Sequence, residues 1–344
     1  MNNTTKNPLI SIAIASYNYA KYLKKAITMI KKSEFRDFEI VYCDDCSTDD
    51  SVLVIREIIE ENNDLSIRLI ENEKNLGILA TKTKLFYECK GKYIMLCDAD
   101  DYMVEHCLDK LASVAIKTDA DRIVSEVYDV VIDKNGKEKI LQKQDIPLKT
   151  SKWLWNLNHG CLYKREIFVK NHIKLDFIPD DVCLTTYFSI YSKSVAWVRK
   201  PLYCWCVHED SAGRKKEKIN NYRLVNDFDL AVTKIDFISK KCTDIHKEEL
   251  ELLLIKLYYL QIFQGLKKCS LKDKYTVYSE LKYLMDNRRS KYLENIYIKN
   301  PKKMPLRKYA KIIVLLSASL EKLHLMKAGL LGYHLLSKVI YFDQ

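Results

Sequence analysis

The sequence predicts an α/β protein: a mostly parallel central sheet with helices on both faces, followed by a helical C-terminal region. Three observations carry this expectation. Short apolar runs rich in β-branched residues alternate three times with helical periodicity inside roughly the first hundred residues. The runs end in polar residues, as strands do along the ligand-binding edge of an open α/β sheet. From Asn220 onward the pattern is helical throughout.

Residues 9–15 (LISIAIA) read as the first strand, broken by Ser16-Tyr17-Asn18. Residues 19–32 then carry helical spacing through Tyr22, Leu23, Ala26, Ile27 and Ile30. Residues 38–43 form the second strand and end in Asp44-Asp45, with Ser47 or Thr48 placed to cap the next helix. A third strand over 65–71 and a helix over 76–89 follow. Residues 93–97 are short and apolar, which suits a fully buried central strand. A helix is expected over 104–116 and a strand over 122–132, turned by Asp133-Lys134-Asn135-Gly136 into a return strand ending near Leu141. Residues 142–153 lack periodicity and read as a loop, and Trp153 and Trp155 suit packing or a platform for a sugar ring. Short strands over 195–199 and 201–207 close this part. Helices are expected over 224–238, 248–266, 273–284 and 307–340, with Pro301 and Pro305 marking a break before the last.

Composition bounds the function. No apolar signal-peptide core begins the chain, and no apolar stretch reaches the ~18 residues that cross a bilayer. The 11 cysteines are an odd number and several sit inside apolar runs, so they read as reduced thiols of a cytoplasmic protein. Cys43 and Cys46 have CxxC spacing without a second pair, which does not make a four-ligand zinc site. The net charge of +11 is uneven. Residues 1–210 carry 30 basic and 32 acidic side chains, whereas 211–344 carry 27 and 14. The second part should therefore face something anionic.

The apolar strand over 93–97 stops abruptly in Asp98, Asp100 and Asp101. Acids at such an edge need a partner, and two of them separated by one residue can share a divalent cation that in turn holds a diphosphate. The same acids would also serve a turn that caps a helix starting near Met103. Tyr17, Asn18, Asp44, Asp45 and Asn75 fall at the other strand ends of the same edge. A tyrosine face can stack on a base, and a carboxylate can accept an imide N–H. Neither G-x-G-x-x-G nor a Walker A sequence is present, which speaks against those dinucleotide and ATP sites.

The segments ISIAIASYNYAKYLKKAI, FEIVYCDDCSTDDS, NEKNLGILATKTK and GKYIMLCDADD, in this order over residues 9–101, resemble the nucleotide-binding half of family 2 glycosyltransferases. The resemblance implies a GT-A fold and an inverting transfer from a nucleotide sugar. It further implies that Tyr17 stacks on the base beside Asn18, that Asp44 and Asn75 contact the base, and that Lys82 stands at a phosphate contact where the family has arginine. The Asp98-Ala99-Asp100 pattern would touch ribose through Asp98 and metal through Asp100. Ala15-Ser16 and Cys46 depart from the family's usual Pro-Thr and Gly.

HGCLYKREIF over 159–168 and IPDDVCLTTYF over 178–188 resemble the acceptor half of the same family. There Asp180-Asp181 stands in the place of an acidic pair whose second member is the catalytic base, which implies that role for Asp181. As a local feature Asp180 also suits a helix cap. The segment after residue 207 resembles the family's closing strand, implying that His208 completes the metal site with Asp98 and Asp100 and that Arg214 closes over the phosphates. The expected organisation is a GT-A domain over 1–215, with a nucleotide-sugar half over 8–101 and an acceptor half over 102–215, then a basic helical region over 216–344.

The resulting expectation is a Mn2+- or Mg2+-dependent inverting hexosyltransferase that moves a sugar, most naturally from a UDP-sugar, to a glycan or lipid-linked acceptor in bacterial surface-polysaccharide synthesis. Competing readings are a sugar-1-phosphate nucleotidyltransferase, which would be expected to show a glycine-rich, arginine-containing loop after the first strand, and a non-catalytic nucleotide-sugar-binding scaffold. Residues 301–344 carry eight basic and two acidic side chains among leucine-rich helical spacing. They suit peripheral contact with an anionic membrane, or packing against other helices or a second subunit in an oligomer. No motif for nucleic acid accompanies the charge.

Overall fold

The computed structural model describes residues 7–133, 136–146, 158–177, 180–208, 221–240, 244–266, 269–306 and 308–340. The described residues up to 208 form one compact unit and those from 221 to 340 another.

The first unit begins with β1 (Ile10–Ser16), α1 (Leu23–Ile30), β2 (Phe38–Asp44), α2 (Ser51–Glu61), β3 (Ile67–Glu71), α3 (Ile78–Glu88) and β4 (Tyr93–Asp98). These four strands are parallel in the order β3-β2-β1-β4. On one face of the pleat Ile10, Ile12 and Ile14 join Phe38, Ile40, Tyr42, Tyr93 and Met95 in one buried core with Leu23, Ile27, Ile55 and Ile58. The alternate face (Ala13, Val41, Leu96) is buried as well and meets α3. Close packing here depends on Gly91, where a Cβ would lie 2.5 Å from the Ser11 amide nitrogen. The Gly91 N–H instead donates to Ser11 Oγ at 2.7 Å. The register pairs Ser16 with Asp44, Ala15 with Asp98 and Asp44 with Glu71, so the polar strand ends lie level along one edge.

Beyond β4 the sheet becomes mixed. The elements are β5 (Tyr102–Met103), α4 (Cys107–Thr118), β6 (Arg122–Ile132), β7 (Glu138–Gln144), β8 (Cys161–Lys164), α5 (Arg165–Lys170), α6 (Asp180–Tyr191) and β9 (Val195–Val207). Strand β8 runs antiparallel to both β4 and β6, β6 is parallel to β9, and β5 and β7 pair antiparallel with β9 and β6. Several boundaries differ from expectation for identifiable reasons. The strands expected over 195–199 and 201–207 are one strand, whose register on β6 shifts where Pro201, with no N–H to donate, faces Glu126. Tyr102 and Met103 pair with Cys204 and Tyr203, so the helix begins only at Cys107 and the acids of β4 do not cap it. Strand β7 runs on to Gln144 because the Gln142 and Gln144 side-chain amides donate to the Asp129 carboxylate. Helix α2 begins at Ser51, beyond the expected caps Ser47 and Thr48. Trp153 and Trp155 lie outside the described residues. Cys43 is buried and its thiol is pushed up to about 11, chiefly by desolvation, so it stays protonated at neutral pH.

The second unit comprises α7 (Asn221–Ser239), α8 (Asp244–Leu260) with a π turn over Gln261–Gly265, α9 (Leu271–Arg288), α10 (Ile296–Lys299), α11 (Lys308–Lys322) and α12 (Met326–Ile340). The single helix expected over 307–340 is two. The chain turns at His324, which takes a left-handed φ of 57° without a glycine to announce it. Within this unit Glu321 is 5% exposed and accepts hydrogen bonds from Tyr258 at 2.6 Å, Tyr259 at 3.1 Å and Tyr292. A buried carboxylate held by three phenols joins α8, α11 and the segment before α10. Glu321→Ala would leave those hydroxyls without their acceptor, at a cost of about 2–5 kcal/mol. Urea titration followed by tyrosine fluorescence should show a second-unit transition moved to lower denaturant, and an unmoved midpoint would refute the role.

Candidate functional site

At the β1 end Tyr17 is 40% exposed. Asn18 adopts a left-handed φ of 57°. Its Oδ1 accepts from the Thr48 amide at 2.7 Å and the Asp49 amide at 3.3 Å, while its own amide donates to Ser47 Oγ at 2.9 Å. Asp44 is buried and accepts from the Ser47 amide at 2.8 Å and the Ser47 hydroxyl at 2.6 Å. Asn18 and Asp44 therefore shape the loop after β2. Asp45 does the same for the loop after β3, accepting from the Leu76 and Gly77 amides and from Asn72 Nδ2, each at 2.8 Å. Burial would raise the Asp45 pKa, but these bonds hold it below the usual carboxylate range. Asn75 sits in that loop and accepts from the Gly77 amide at 3.1 Å.

Three carboxylates converge at the end of β4, each with a different cation or donor. Asp98 Oδ1 pairs with Lys82 Nζ at 2.8 Å. Asp100 Oδ2 pairs with His208 Nε2 at 2.8 Å. The other ring nitrogen of His208 meets the Tyr22 hydroxyl at 2.8 Å, and the two rings stack at 4.2 Å. A neutral imidazole satisfies both contacts if Nε2–H donates to the carboxylate and Nδ1 accepts the phenol proton. Asp101 is 1% exposed, and its Oδ1 accepts from the Cys206 amide at 2.7 Å. Its Oδ2 has no hydrogen-bond donor among the described residues. His159 Nδ1 lies 3.4 Å from that oxygen and 3.9 Å from Asp98 Oδ2. The His159 ring is stacked against Tyr203 at 5.4 Å. Ala99, between the acids, is buried.

The electrostatics follow from this crowding. Desolvation, then Asp98, raises the Asp100 pKa, and desolvation with both neighbouring acids raises that of Asp101 well above the ordinary value. Desolvation acts on Asp98 too, yet Lys82 and His159 outweigh it and the net shift is downward. His159 is lowered, mainly by burial. A divalent ion would relieve this repulsion. Asp98, Asp101 and His159 each offer a ligand atom within 4.8 Å of the others. An ion bound at ~2.1 Å spaces adjacent ligand atoms by about 3 Å, so the set, with His159 at 3.4 and 3.9 Å from the two carboxylates, would have to draw together around it. The two carboxylate oxygens suit Mg2+ or Mn2+. The residues therefore fit a cation, and the orphaned Asp101 oxygen is the clearest sign.

Helix α6 brings the second acidic pair. Asp180 opens the helix, and its Oδ2 accepts from Lys82 Nζ at 2.8 Å. Lys82, itself 5% exposed, thus bridges Asp98 and Asp180, and its pKa is raised because the two carboxylates overcome the cost of burial. Asp181 Oδ1 accepts from the Val182 amide at 2.8 Å in the same first turn, where the helix dipole favours negative charge. The structure thus gathers Lys82, Asp98 and Asp180 at one point and pairs Asp100 with His208. Arg214 lies outside the described residues. Asp101 and His159 were not singled out as ligands from the sequence. The signal for Asp101 was its place in the acidic run, whereas nothing local marks His159.

Comparison with known proteins bears on the fold and the family. GlyG of Streptococcus pneumoniae, a glycosyltransferase, is 22% identical over 76% of this chain and 88% of its own length. The cholesterol galactosyltransferase of Borreliella burgdorferi is 24% identical over 74% of this chain and 75% of its own. Among solved structures, S. aureus TarS 1-349 in complex with UDP-GlcNAc superposes with a TM-score of 0.66 at 18% identity, covering 90% of each chain. The mannosyltransferase PcManGT from Pyrobaculum calidifontis, in complex with GDP-Man and Mn2+, gives 0.51 at 14% identity over 92% of this chain and 89% of its own. These likenesses establish a GT-A-like fold with a helical C-terminal region. Residues 11–195 match the family described as Glycosyl transferase family 2. The chain is a glycosyltransferase of that family.

Proposed function

We propose that the chain moves a hexosyl group from a UDP-sugar to a glycan or lipid-linked acceptor of a bacterial surface polymer, with inversion at the anomeric carbon and with a divalent ion. The observation that carries this reading is the buried Lys82 bridge, which joins an acid of the nucleotide edge to the acidic pair of α6. The TarS complexes with UDP-GlcNAc and UDP support the uridine donor, and the PcManGT complex with Mn2+ supports the ion. In this reading Tyr17 stacks on the base, and Asp44 and Asn75 contact it beside Asn18. Asp98 meets the ribose, and Lys82 and Arg214 face the diphosphate. When bound, Mn2+ or Mg2+ supplies positive charge against the diphosphate as it departs. Asp181 takes the proton of the acceptor hydroxyl as its oxygen attacks C1 from the face opposite the diphosphate. One displacement breaks the C1–O bond to phosphate, forms the new glycosidic bond and inverts the centre.

Two ligand sets for the ion follow. The family pattern gives Asp98 and Asp100 with His208. The orphaned Asp101 oxygen favours Asp98, Asp101 and His159, with Asp100 satisfied by His208. The basic helices suggest a further contact. Ile312, Leu316 and Leu323 on and just after α11 are 45%, 61% and 65% exposed, and Leu331 and Leu335 on α12 are 40% and 54% exposed. Lys308, Lys322 and Lys327 lie exposed among them, while Glu321 is buried. An anionic lipid surface matches both the charge and the leucines. No helix among the described residues is long and apolar enough to cross a membrane.

Three measurements test these points. Asp181→Asn should lower kcat by about 10²–10⁴ while UDP-sugar affinity stays within about threefold. An Asp181→Asn enzyme with near wild-type turnover would remove the base assignment. Electron spin-echo modulation of bound Mn2+ should show a directly coordinated imidazole nitrogen that His159→Gln abolishes and His208→Gln retains. The reverse result would restore the Asp98, Asp100 and His208 set. The full chain should pellet with phosphatidylglycerol vesicles at low salt, and Leu316→Glu with Leu323→Glu should prevent it. Equal pelleting of both, or a concentration-dependent dimer lost in the variant without lipid binding, would exclude the membrane contact.

A further inference from the structure

Lys82 is held in a way that the transfer reaction itself does not require. Its ammonium is buried, and it touches Asp98 and Asp180 at 2.8 Å each. These two acids belong to different elements, the end of β4 and the first turn of α6. The trio carries one net negative charge, so an arriving diphosphate finds the ammonium already committed. Asp98 has a further neighbour, because its other oxygen lies 3.9 Å from His159 Nδ1. Among the described residues Lys82 is the cation paired with Asp180, which directly precedes Asp181.

We infer that Lys82 and Asp180 form a lock released by the donor: the ammonium holds the first turn of α6 until a nucleotide diphosphate claims it. This rests on the transfer reading above and adds a positioning role for Asp180 within it. The lock makes donor binding weaker than the bare site would allow, because the diphosphate must displace a carboxylate from the same ammonium. It also ties the acid beside the proposed base to donor occupancy, so that α6 is released only when a donor is in place. Such a device would disfavour proton removal from an acceptor in an empty site.

The consequence separates this role from simpler ones. Asp180→Asn keeps the shape of the side chain and removes its charge. Titration calorimetry of UDP in the presence of Mn2+ should show binding about 3- to 30-fold tighter than wild type, since a competing charge near the ammonium is gone. The same variant should have a lower donor KM, because the ammonium is no longer committed to Asp180 before the donor arrives. In a Lys82→Gln background Asp180→Asn should give no gain in UDP affinity. An Asp180→Asn protein that binds UDP as wild type does, or more weakly, overturns the lock and leaves the transfer reading intact. An equal gain in the Lys82→Gln background overturns it as well, by reducing the effect to general repulsion. Failure of the wild-type protein to bind UDP at all removes the transfer reading and the lock together.

Discussion

A buried ammonium can be kept charged only by partners that replace its water, and Lys82 obtains them from two parts of the chain distant in sequence. Removing either carboxylate leaves a poorly compensated charge. The bridge therefore fixes the distance between the end of β4 and the start of α6 more firmly than apolar packing, which is non-directional, would. Lysine suits this position better than arginine would: its compact head contacts two carboxylates from one point, whereas a guanidinium would favour a bidentate fork on one of them. Where the family resemblance implies an arginine, this chain carries Lys82.

The edge on which this happens is set by the sheet. In-register parallel pairing of β1, β2, β3 and β4 puts Ser16, Asp44, Glu71 and Asp98 at one level. Side chains of the same edge then shape the loops that follow the strands. Asp44, Asp45 and Asn18 spend their hydrogen-bonding capacity on backbone amides of the loops after β2 and β3. Much of the acidic character of this edge is therefore structural. The acids of β4 are different, since they crowd one another and one oxygen of Asp101 has no donor among the described residues. Burying like charges side by side costs stability, and a bound cation recovers it.

The first four strands were legible because their signals are local. Apolar strands, turn residues and terminal acids follow each other within a few positions, and β1, β2, β3 and β4 fall close to where the sequence put them. Two of the misreadings share a cause, which is non-local pairing. Pro201 looked like a strand break but is a register shift on β6, and Tyr102-Met103 looked like a helix start but is claimed by β9. The turn at His324 has no glycine or proline, so helical periodicity ran straight through it. At the site, the acidic runs gave Asp98, Asp100, Asp180 and Asp181, but sequence distance hid the contacts between them. That Lys82 would reach Asp180, or His159 come to Asp98 and Asp101, depends on antiparallel β8 lying beside β4. No periodicity encodes that neighbour relation.

The donor diphosphate and its ion are expected to meet at the end of β4 beside Lys82. Diffraction at the manganese edge from crystals grown with UDP and Mn2+ examines this most directly. One anomalous peak is expected in coordination distance of Asp98, with the β-phosphate within hydrogen-bond reach of Lys82 Nζ and Asp180 no longer paired to it. A peak away from Asp98, or a diphosphate bound without contact to Lys82 while the Lys82–Asp180 pair persists, would contradict it.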